Sequence, residues 1–161
     1  MIEIAPNVFV GNQLDYETRV KHEPDWSVVH ACKEPYHRKA LGYDGRGAPR
    51  DDPEYLVAER GNRLILNLVD VDDVKYIDPG MIERAVTFIE VHRAIGRKVL
   101  VHCNQGGSRA PSIGLLYLAR NVYRHHEPEA ALAHFQVIYP QYLPAQGMRD
   151  FVQQNWRRYA A

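Results

Sequence analysis

The stretch from residue 99 to 112, VLVHCNQGGSRAPS, holds the residues whose types and spacing could do chemistry. Cys103 ends a β-branched run, a glycine-rich segment follows it, and Arg109 opens an apolar helical pattern. Such a loop can turn its backbone N–H groups inward as an anion-binding nest, at the positive end of the next helix. That field favours the thiolate form of a cysteine, and an arginine fork can hold two oxygens of a tetrahedral oxyanion.

This combination suits attack by sulfur on phosphorus. Cys103 is the predicted nucleophile, and Arg109 binds the phosphoryl group together with the loop amides. The residues predicted to bind phosphate are Asn104, Gln105, Gly106, Gly107, Ser108 and Arg109.

The surrounding patterns predict the elements that position this stretch. Apolar or alternating runs predict strands at residues 2–4, 8–10, 27–32, 63–69 and 98–102. Helical patterns cover residues 13–22, 79–95, 110–125 and 128–139, and a last helix carries Met148, Phe151, Val152 and Trp156. This order predicts a single α/β domain with a central, mostly parallel sheet flanked by helices on both faces. Cys103 then lies at the carboxyl end of a strand, where ligands bind in such sheets.

One long segment shows no regular pattern. Residues 35–53 hold three glycines and three prolines without a period, so we predict a long loop, with PEYLVAE adding a helical turn. Two interpretations of the segment stay open: a basic rim beside the site, or a solvated mobile loop. The basic residues concerned are His37, Arg38, Lys39, Arg46 and Arg50.

Composition excludes some classes of protein. Twenty basic and twenty acidic residues balance, which argues against a general nucleic-acid or anionic-membrane binder. No apolar stretch approaches the length of a membrane span, and the first residues lack the pattern of a signal peptide. Two cysteines are too few for a disulfide framework and suit a reducing compartment, so we expect a cytoplasmic protein.

The pattern His-Cys-x-x-Gly-x-x-Arg at residues 102–109 resembles the signature of the cysteine-dependent protein tyrosine phosphatases. The flanking GRKVLVHC and RAPSIGLLYLA resemble the dual-specificity branch, as do APNVFVGNQ and IERAVTFIE. The resemblance covers residues 1–161 except a variable insertion at about 35–62. It implies a protein tyrosine phosphatase-like fold and hydrolysis of phosphomonoesters through a phosphocysteine, with phosphotyrosine and then phosphoserine or phosphothreonine in proteins as substrates. We expect no cofactor or metal, because Arg109 and the amides stabilise the charge.

In the resembled family the general acid is an aspartate about thirty positions before the cysteine. VDVDDVKYIDPG supplies four aspartates, and alignment on the helix IERAVTFIE places Asp72 at the family position. Asp73 is the alternate, Asp70 ranks below both, and Asp78 is better explained as a helix N-cap before Pro79.

Supporting roles also follow from the resemblance. His102 is expected to orient the loop through hydrogen bonds, with a proton shuttle as the alternative role. YPQYLPAQGMRDF resembles a Pro-x-x-x-x-Pro-Asn-x-Gly-Phe segment with Gln146 at the asparagine position. The family usually has a serine or threonine where this chain has Ala110, which predicts slow hydrolysis of the phosphocysteine unless Ser112 or Ser108 substitutes.

Cys32 begins a Cys-x-Glu stretch that resembles the phosphatase and tensin homologue, in which this cysteine can form a disulfide with the nucleophile. A small buried core residue is the alternative interpretation.

The loop between Cys103 and Arg109 contains no lysine, which favours a substrate with one phosphate group, on a protein or another phosphomonoester. Ala110 leaves open a phosphate-binding pseudophosphatase or substrate-trapping module. A basic rim would instead favour an RNA 5′-phosphatase, although the balanced charge disfavours nucleic acid.

Overall fold

The computed structural model describes all 161 residues and contains one six-stranded sheet. The strands are β1 (Ile2–Ala5), β2 (Val8–Gly11), β3 (Trp26–His30), β4 (Val57–Arg60), β5 (Arg63–Leu66) and β6 (Lys98–His102), in the spatial order β1-β2-β6-β3-β5-β4. The four central strands are parallel, and β1 and β4 add antiparallel edges. The predicted α/β class with a mostly parallel sheet is confirmed.

The short helical segments lie within residues 13–76, and the long helices come after them in the chain. The first are α1 (Gln13–Asp15), continued by a π-helical turn (Tyr16–Val20), a second π-helical turn (Lys33–His37), α2 (Arg38–Leu41) and a 3-10 turn (Val74–Tyr76). The long ones are α3 (Pro79–Ala94), α4 (Arg109–Asn121), α5 (Pro128–Ile138) and α6 (Gln146–Ala160). Asp78 caps α3 as predicted, because its side chain accepts the Met81 amide at 2.9 Å. Helix α4 ends four residues earlier than the predicted boundary at 125.

The two faces of the sheet carry different helices. Long helices cover the face that contains Val10, and Gly114 of α4 lies so near that a Cβ there would be 2.8 Å from Val10 Cγ2. Helix α3 covers the same face, since His92 hydrogen bonds to Ser27 at 2.6 Å. On the opposite face, the Tyr16 ring packs against the histidines that end β3 and β6. Helices therefore lie on both faces, as predicted.

The segment at 35–62 contains more regular secondary structure than its sequence pattern predicts. Its predicted helical turn at PEYLVAE is wrong, because Val57–Arg60 forms β4 and pairs with β5 from Val57↔Leu66 to Arg60↔Arg63. The hairpin closes through a two-residue Gly61-Asn62 turn in which Gly61 has φ +61°. The loop predicted at 35–53 also contains part of a π-helical turn and α2.

No helix of the structure is both long and apolar enough to cross a bilayer. No group of three or more histidine, cysteine, aspartate or glutamate side chains is arranged to hold a metal ion.

Candidate active site

The end of β6 and the start of α4 place the two residues on which the sequence analysis centred. β6 ends at His102 and α4 begins at Arg109, so residues 103–108 form the connecting loop, here called the Cys103 loop. Cys103 is buried, with 2% of its surface exposed, beside the first turn of an apolar helix. The strand–loop–helix arrangement predicted from VLVHCNQGGSRAPS is therefore present.

Four carbonyl oxygens of the Cys103 loop accept hydrogen bonds from donors outside the loop. The pairs are His102 Nδ1 with Cys103 O (3.1 Å), Gln13 N with Asn104 O (3.2 Å), Tyr139 Oη with Gly106 O (2.7 Å) and Leu143 N with Gly107 O (2.8 Å). A trans peptide holds a carbonyl and the following N–H in opposite directions. The amides of residues 104, 105, 107 and 108 are therefore directed to the interior of the loop, as an anion nest requires.

Gly106 adds the fifth inward amide. Its N–H donates to Cys103 Sγ at 3.3 Å, and its φ of +76° lies in the left-handed region that favours glycine. A Cβ at this position would lie 3.0 Å from Gly11 O and 3.2 Å from the Tyr139 hydroxyl. Both the conformation and the close approach explain why a glycine stands here.

Arg109 is positioned by two hydrogen bonds. Its Nη1 donates to Leu68 O at 3.1 Å, and its Nη2 donates to Asn104 Oδ1 at 2.8 Å. Its Nε is buried and has no hydrogen-bond partner. A buried donor without an acceptor is costly, and an oxyanion in the loop would supply the acceptor.

Asn104 links the loop to two neighbouring segments. Its Nδ2 donates to Gln13 Oε1 and to Glu34 O, both at 2.9 Å, while its Oδ1 accepts from Arg109. The side chain of Asn104 therefore orients the guanidinium, whereas the neighbouring Gln105 is exposed and its side chain makes no hydrogen bond within the protein. Of these two side chains, that of Asn104 is held in place by hydrogen bonds and that of Gln105 is not.

The three candidate acids occupy different environments. Asp70 Oδ1 accepts from Ser108 Oγ at 2.7 Å, so this carboxylate contacts the Cys103 loop directly. Asp73 caps the 3-10 turn through the Lys75 amide at 3.0 Å, and that hydrogen bond lowers the pKa of its carboxyl. Asp72 lies between them, exposed and without a hydrogen bond or ion pair. The structure thus leaves Asp72 free, whereas Asp70 and Asp73 are engaged.

Ser112 and Ser108, which could supply the hydroxyl that Ala110 lacks, hydrogen bond to other residues. Ser112 hydrogen bonds with the Tyr142 hydroxyl at 3.0 Å, and both residues are buried. Ser108 donates to Asp70 and accepts the Ala145 amide at 2.9 Å. Neither serine donates to Cys103, whose sulfur accepts only the Gly106 amide.

Cys32 is buried and free, as is Cys103. Hydrogen bonds from Ala31 N to His102 O (2.8 Å) and from Lys33 N to Leu68 O (2.9 Å) hold Cys32 beside the end of β6. Burial raises the pKa of the Cys32 thiol to about 12, with Arg109 lowering it and Cys103 raising it. Leu68 O accepts both the Lys33 amide and Arg109 Nη1, and His102 O accepts the Ala31 amide, so the chain on either side of Cys32 is bonded to the surroundings of the site.

Gln146 makes no hydrogen bond to the Cys103 loop. Its amide donates to Asp150 Oδ1 at 2.8 Å on the exposed side of α6. The neighbouring Gly147 contacts a different part of the site, since its amide donates to Val71 O at 3.0 Å in the segment that carries the candidate acids.

Two of the five basic residues considered for a rim at 35–62 are engaged within the protein. His37 is buried between the Tyr43 hydroxyl (3.0 Å) and Glu54 O (2.9 Å), and Arg38 pairs with Glu34 at 2.7 Å. Lys39, Arg46 and Arg50 lie nearer the surface, and none of these three side chains donates a hydrogen bond.

Sequence reasoning missed Tyr139, and it did not connect His30 or Arg63 to the site. Tyr139 is a loop anchor through its bond to Gly106 O, and burial raises the pKa of its hydroxyl well above the usual range. The clue in the sequence was a tyrosine at the end of a helix just before a Pro-rich break.

The chain was compared with family models, curated proteins and solved structures, and only the solved structures match it. No family model matches the chain, and no curated protein matches it. Solved structures do match over nearly the whole chain, and three of them are described next.

The human tyrosine phosphatase-like serine/threonine/tyrosine-interacting protein is 19% identical, with a TM-score of 0.68 over 100% of this chain and 98% of that one. Human DUSP28 is 17% identical, with a TM-score of 0.67 over 99% and 95%. PTPMT1 is 19% identical, with a TM-score of 0.66 over 98% and 94%. The chain has the fold of the dual-specificity phosphatases, and the resemblance of the sequence motifs is confirmed at the level of the fold.

Proposed function

We propose that this protein is a cysteine-dependent phosphomonoester hydrolase of the dual-specificity type. The inward amides of the Cys103 loop and the Arg109 guanidinium bind the phosphoryl oxygens. Cys103 Sγ, as the thiolate, attacks phosphorus in line: a sulfur–phosphorus bond forms and the bond from phosphorus to the leaving oxygen breaks. Most of the catalysis then comes from positioning and charge stabilisation by a preformed loop.

A proton must reach the leaving oxygen as it departs. We assign this role to Asp72, which is the unengaged carboxyl among the three candidates. Its carboxylate then takes a proton from water while the water oxygen attacks phosphorus. The sulfur–phosphorus bond breaks, and the products are inorganic phosphate and the restored Cys103 thiolate.

One observation carries this proposal: the Cys103 loop turns its carbonyls outward and its amides inward around a buried cysteine. The unpartnered Nε of Arg109 adds a donor at the same place. A structural cysteine at a strand end would need neither feature.

We propose phosphoproteins as substrates, with phosphotyrosine ahead of phosphoserine and phosphothreonine. The loop has no lysine to meet additional phosphates, and Arg38 is neutralised by Glu34. Leu143, whose amide contacts the loop, is 77% exposed, and Leu14, next to the loop anchor Gln13, is 67% exposed. Apolar side chains beside the site suit a peptide better than a polyphosphate or an RNA end. Two free cysteines suit a reducing compartment, and we place the protein in the cytoplasm.

Ala110 supports a second candidate function, a phosphate-binding module or substrate trap. With Ser112 bonded to Tyr142, no side-chain hydroxyl donates to Cys103 to help sulfur leave phosphorus. One similar structure is itself described as phosphatase-like and as an interacting protein.

The deciding experiment is p-nitrophenyl phosphate hydrolysis at stopped-flow resolution, in EDTA and reductant, with wild type and Cys103→Ser. Turnover in the wild type alone supports the enzyme. A burst followed by slow turnover indicates a long-lived phosphocysteine. Phosphate binding with neither burst nor turnover supports the binding module. Preference for RNA 5′-triphosphate ends, with steep salt dependence, would favour the RNA phosphatase.

Leaving-group dependence tests the assignment of the acid. Asp72→Asn should slow phenyl phosphate, a poor leaving group, by roughly 100-fold and p-nitrophenyl phosphate far less. Asp73→Asn is the matched variant one position away. If that variant, and not Asp72→Asn, shows the selective loss, Asp73 is the acid.

A further inference from the structure

Three side chains on three adjacent strands form a hydrogen-bonded row that ends at the Cys103 loop. Arg63 on β5 donates from Nε to His30 Nε2 at 2.9 Å. His30 Nδ1 on β3 lies 2.6 Å from His102 Nε2 on β6, and His102 Nδ1 lies 3.1 Å from Cys103 O. Here the row is called the histidine row.

The protons in the histidine row follow from the chemistry of its two ends. An arginine only donates, so His30 Nε2 must accept and carries no hydrogen. A carbonyl only accepts, so His102 Nδ1 carries a hydrogen. With one hydrogen on each ring, His30 Nδ1 donates to His102 Nε2, and every contact is satisfied. A second proton on either ring would set two N–H groups against each other in the row.

Packing holds both rings in these orientations. The Tyr16 ring stacks on His102 with centroids 5.1 Å apart, and the Tyr36 ring stacks on His30 at 4.3 Å. Each tyrosine also meets the other imidazole edge-on. Both histidines have no exposed surface.

The electrostatic surroundings favour neutral rings. Burial lowers the pKa of both histidines, and Arg63 lowers it further. The other charged groups that act on His102 are Glu17 and Asp15, which oppose this effect. Neutral, singly protonated rings are the state that the hydrogen-bond geometry requires.

We propose that His30 and Arg63 are positioning residues of the Cys103 site, which rests on the proposed function of that site. Together they fix His102 as a donor to Cys103 O, and that bond holds the 103–104 peptide with its carbonyl outward and the Asn104 amide inward. In the other tautomer, His102 Nδ1 would present a lone pair to the carbonyl oxygen. The peptide could then rotate its oxygen into the loop, where it would repel both thiolate and phosphate.

The test compares His30→Leu, Arg63→Met and His30→Asn with wild type. Leucine removes the donor to His102, methionine removes the donor to His30, and an asparagine amide can restore the donor at the position of His30 Nδ1. His37→Leu is the control, because His37 is also a buried histidine with two hydrogen bonds but lies outside the row.

Two readouts report the role directly. Nitrogen-15 NMR of the imidazoles identifies the tautomer of His102. The rate at which iodoacetate alkylates Cys103, followed by mass spectrometry across pH, reports the thiolate without requiring hydrolysis. In His30→Leu and Arg63→Met we expect a mixed His102 tautomer, roughly tenfold slower alkylation at pH 6.5, and a matching loss of kcat/KM. His30→Asn should recover most of the alkylation rate.

The proposal is overturned if His30→Leu folds and keeps the wild-type tautomer and alkylation profile, or if His37→Leu slows alkylation equally. If wild type does not hydrolyse phosphate esters, the proposed function fails, yet tautomer and alkylation still decide the role of His30 and Arg63. Should His30→Leu not fold, Arg63→Met gives the same comparison from a less buried position.

Discussion

Gly147 donates its amide proton to Val71 O at 3.0 Å, which ties the start of α6 to the segment that carries Asp70, Asp72 and Asp73. A Cβ on Gly147 would lie 2.4 Å from that same oxygen. The glycine therefore permits a backbone approach that no other residue allows, and the position of the candidate acids depends on it.

Gly147→Ala should displace the acid segment and leave the Cys103 loop intact. We expect kcat for phenyl phosphate to fall about tenfold or more, while the rate of Cys103 alkylation stays at the wild-type value. Gly45→Ala is the control, since a Cβ there meets nothing within 4 Å. Equal losses of turnover and alkylation would show that the substitution disturbs the whole site.

Ala110→Ser should speed release of phosphate from the phosphocysteine. A hydroxyl at this buried position can donate to the departing Cys103 thiolate, and one such hydrogen bond of about 1.4 kcal/mol corresponds to about tenfold in rate. The measurement is the steady-state rate after the p-nitrophenyl phosphate burst. Ala119→Ser, also buried in α4, serves as the control. An unchanged steady-state rate in Ala110→Ser would mean that hydrolysis is limited elsewhere.

Mild peroxide should join Cys32 to Cys103. Oxidation of the Cys103 thiolate to a sulfenic acid, followed by attack of the Cys32 sulfur, forms the disulfide and releases water. Burial keeps Cys32 a thiol, with its pKa raised to about 12, so Cys103 reacts first. Intact mass should show loss of two hydrogens, reversed by dithiothreitol. In Cys32→Ser, Cys103 should progress to sulfinic acid; a sulfinic acid in wild type as well would exclude protection by Cys32.

The protein should lose stability as the pH falls from about 6.5 to 4. Burial lowers the pKa of His102 to about 4, against about 6.5 in an unfolded chain, so the unfolded state binds more protons in this window. The free energy of unfolding therefore decreases as the pH is lowered from 6.5 to 4, by about 3 kcal/mol for His102 alone. Urea unfolding at pH 7, 5.5 and 4.5 measures the slope.

His102→Asn is the variant that tests this assignment. Its unfolding free energy should depend less steeply on pH than that of wild type, by the equivalent of about one fewer proton bound on unfolding. The exposed His22→Asn should keep the wild-type slope. If His102→Asn and wild type lose stability in parallel, other groups cause the dependence on pH.

The sequence alone determined the features that depend on neighbours along the chain. The β-branched run, the glycines and Arg109 are contiguous, so the strand–loop–helix and the nucleophile–arginine pair are readable without a fold. Asp78 before Pro79 similarly marks a helix start through local hydrogen bonding. The α/β class followed from the alternation of strand and helix periods.

Only the tertiary structure decided which distant side chains meet the Cys103 loop. Strand order places β6 between β2 and β3, which brings His30 to His102 and, through β5, Arg63 to His30. No local pattern encodes that register. For the same reason a sequence cannot show that Ser112 faces Tyr142. These partners are separated by tens of residues, and the packing of strands and helices brings them into contact.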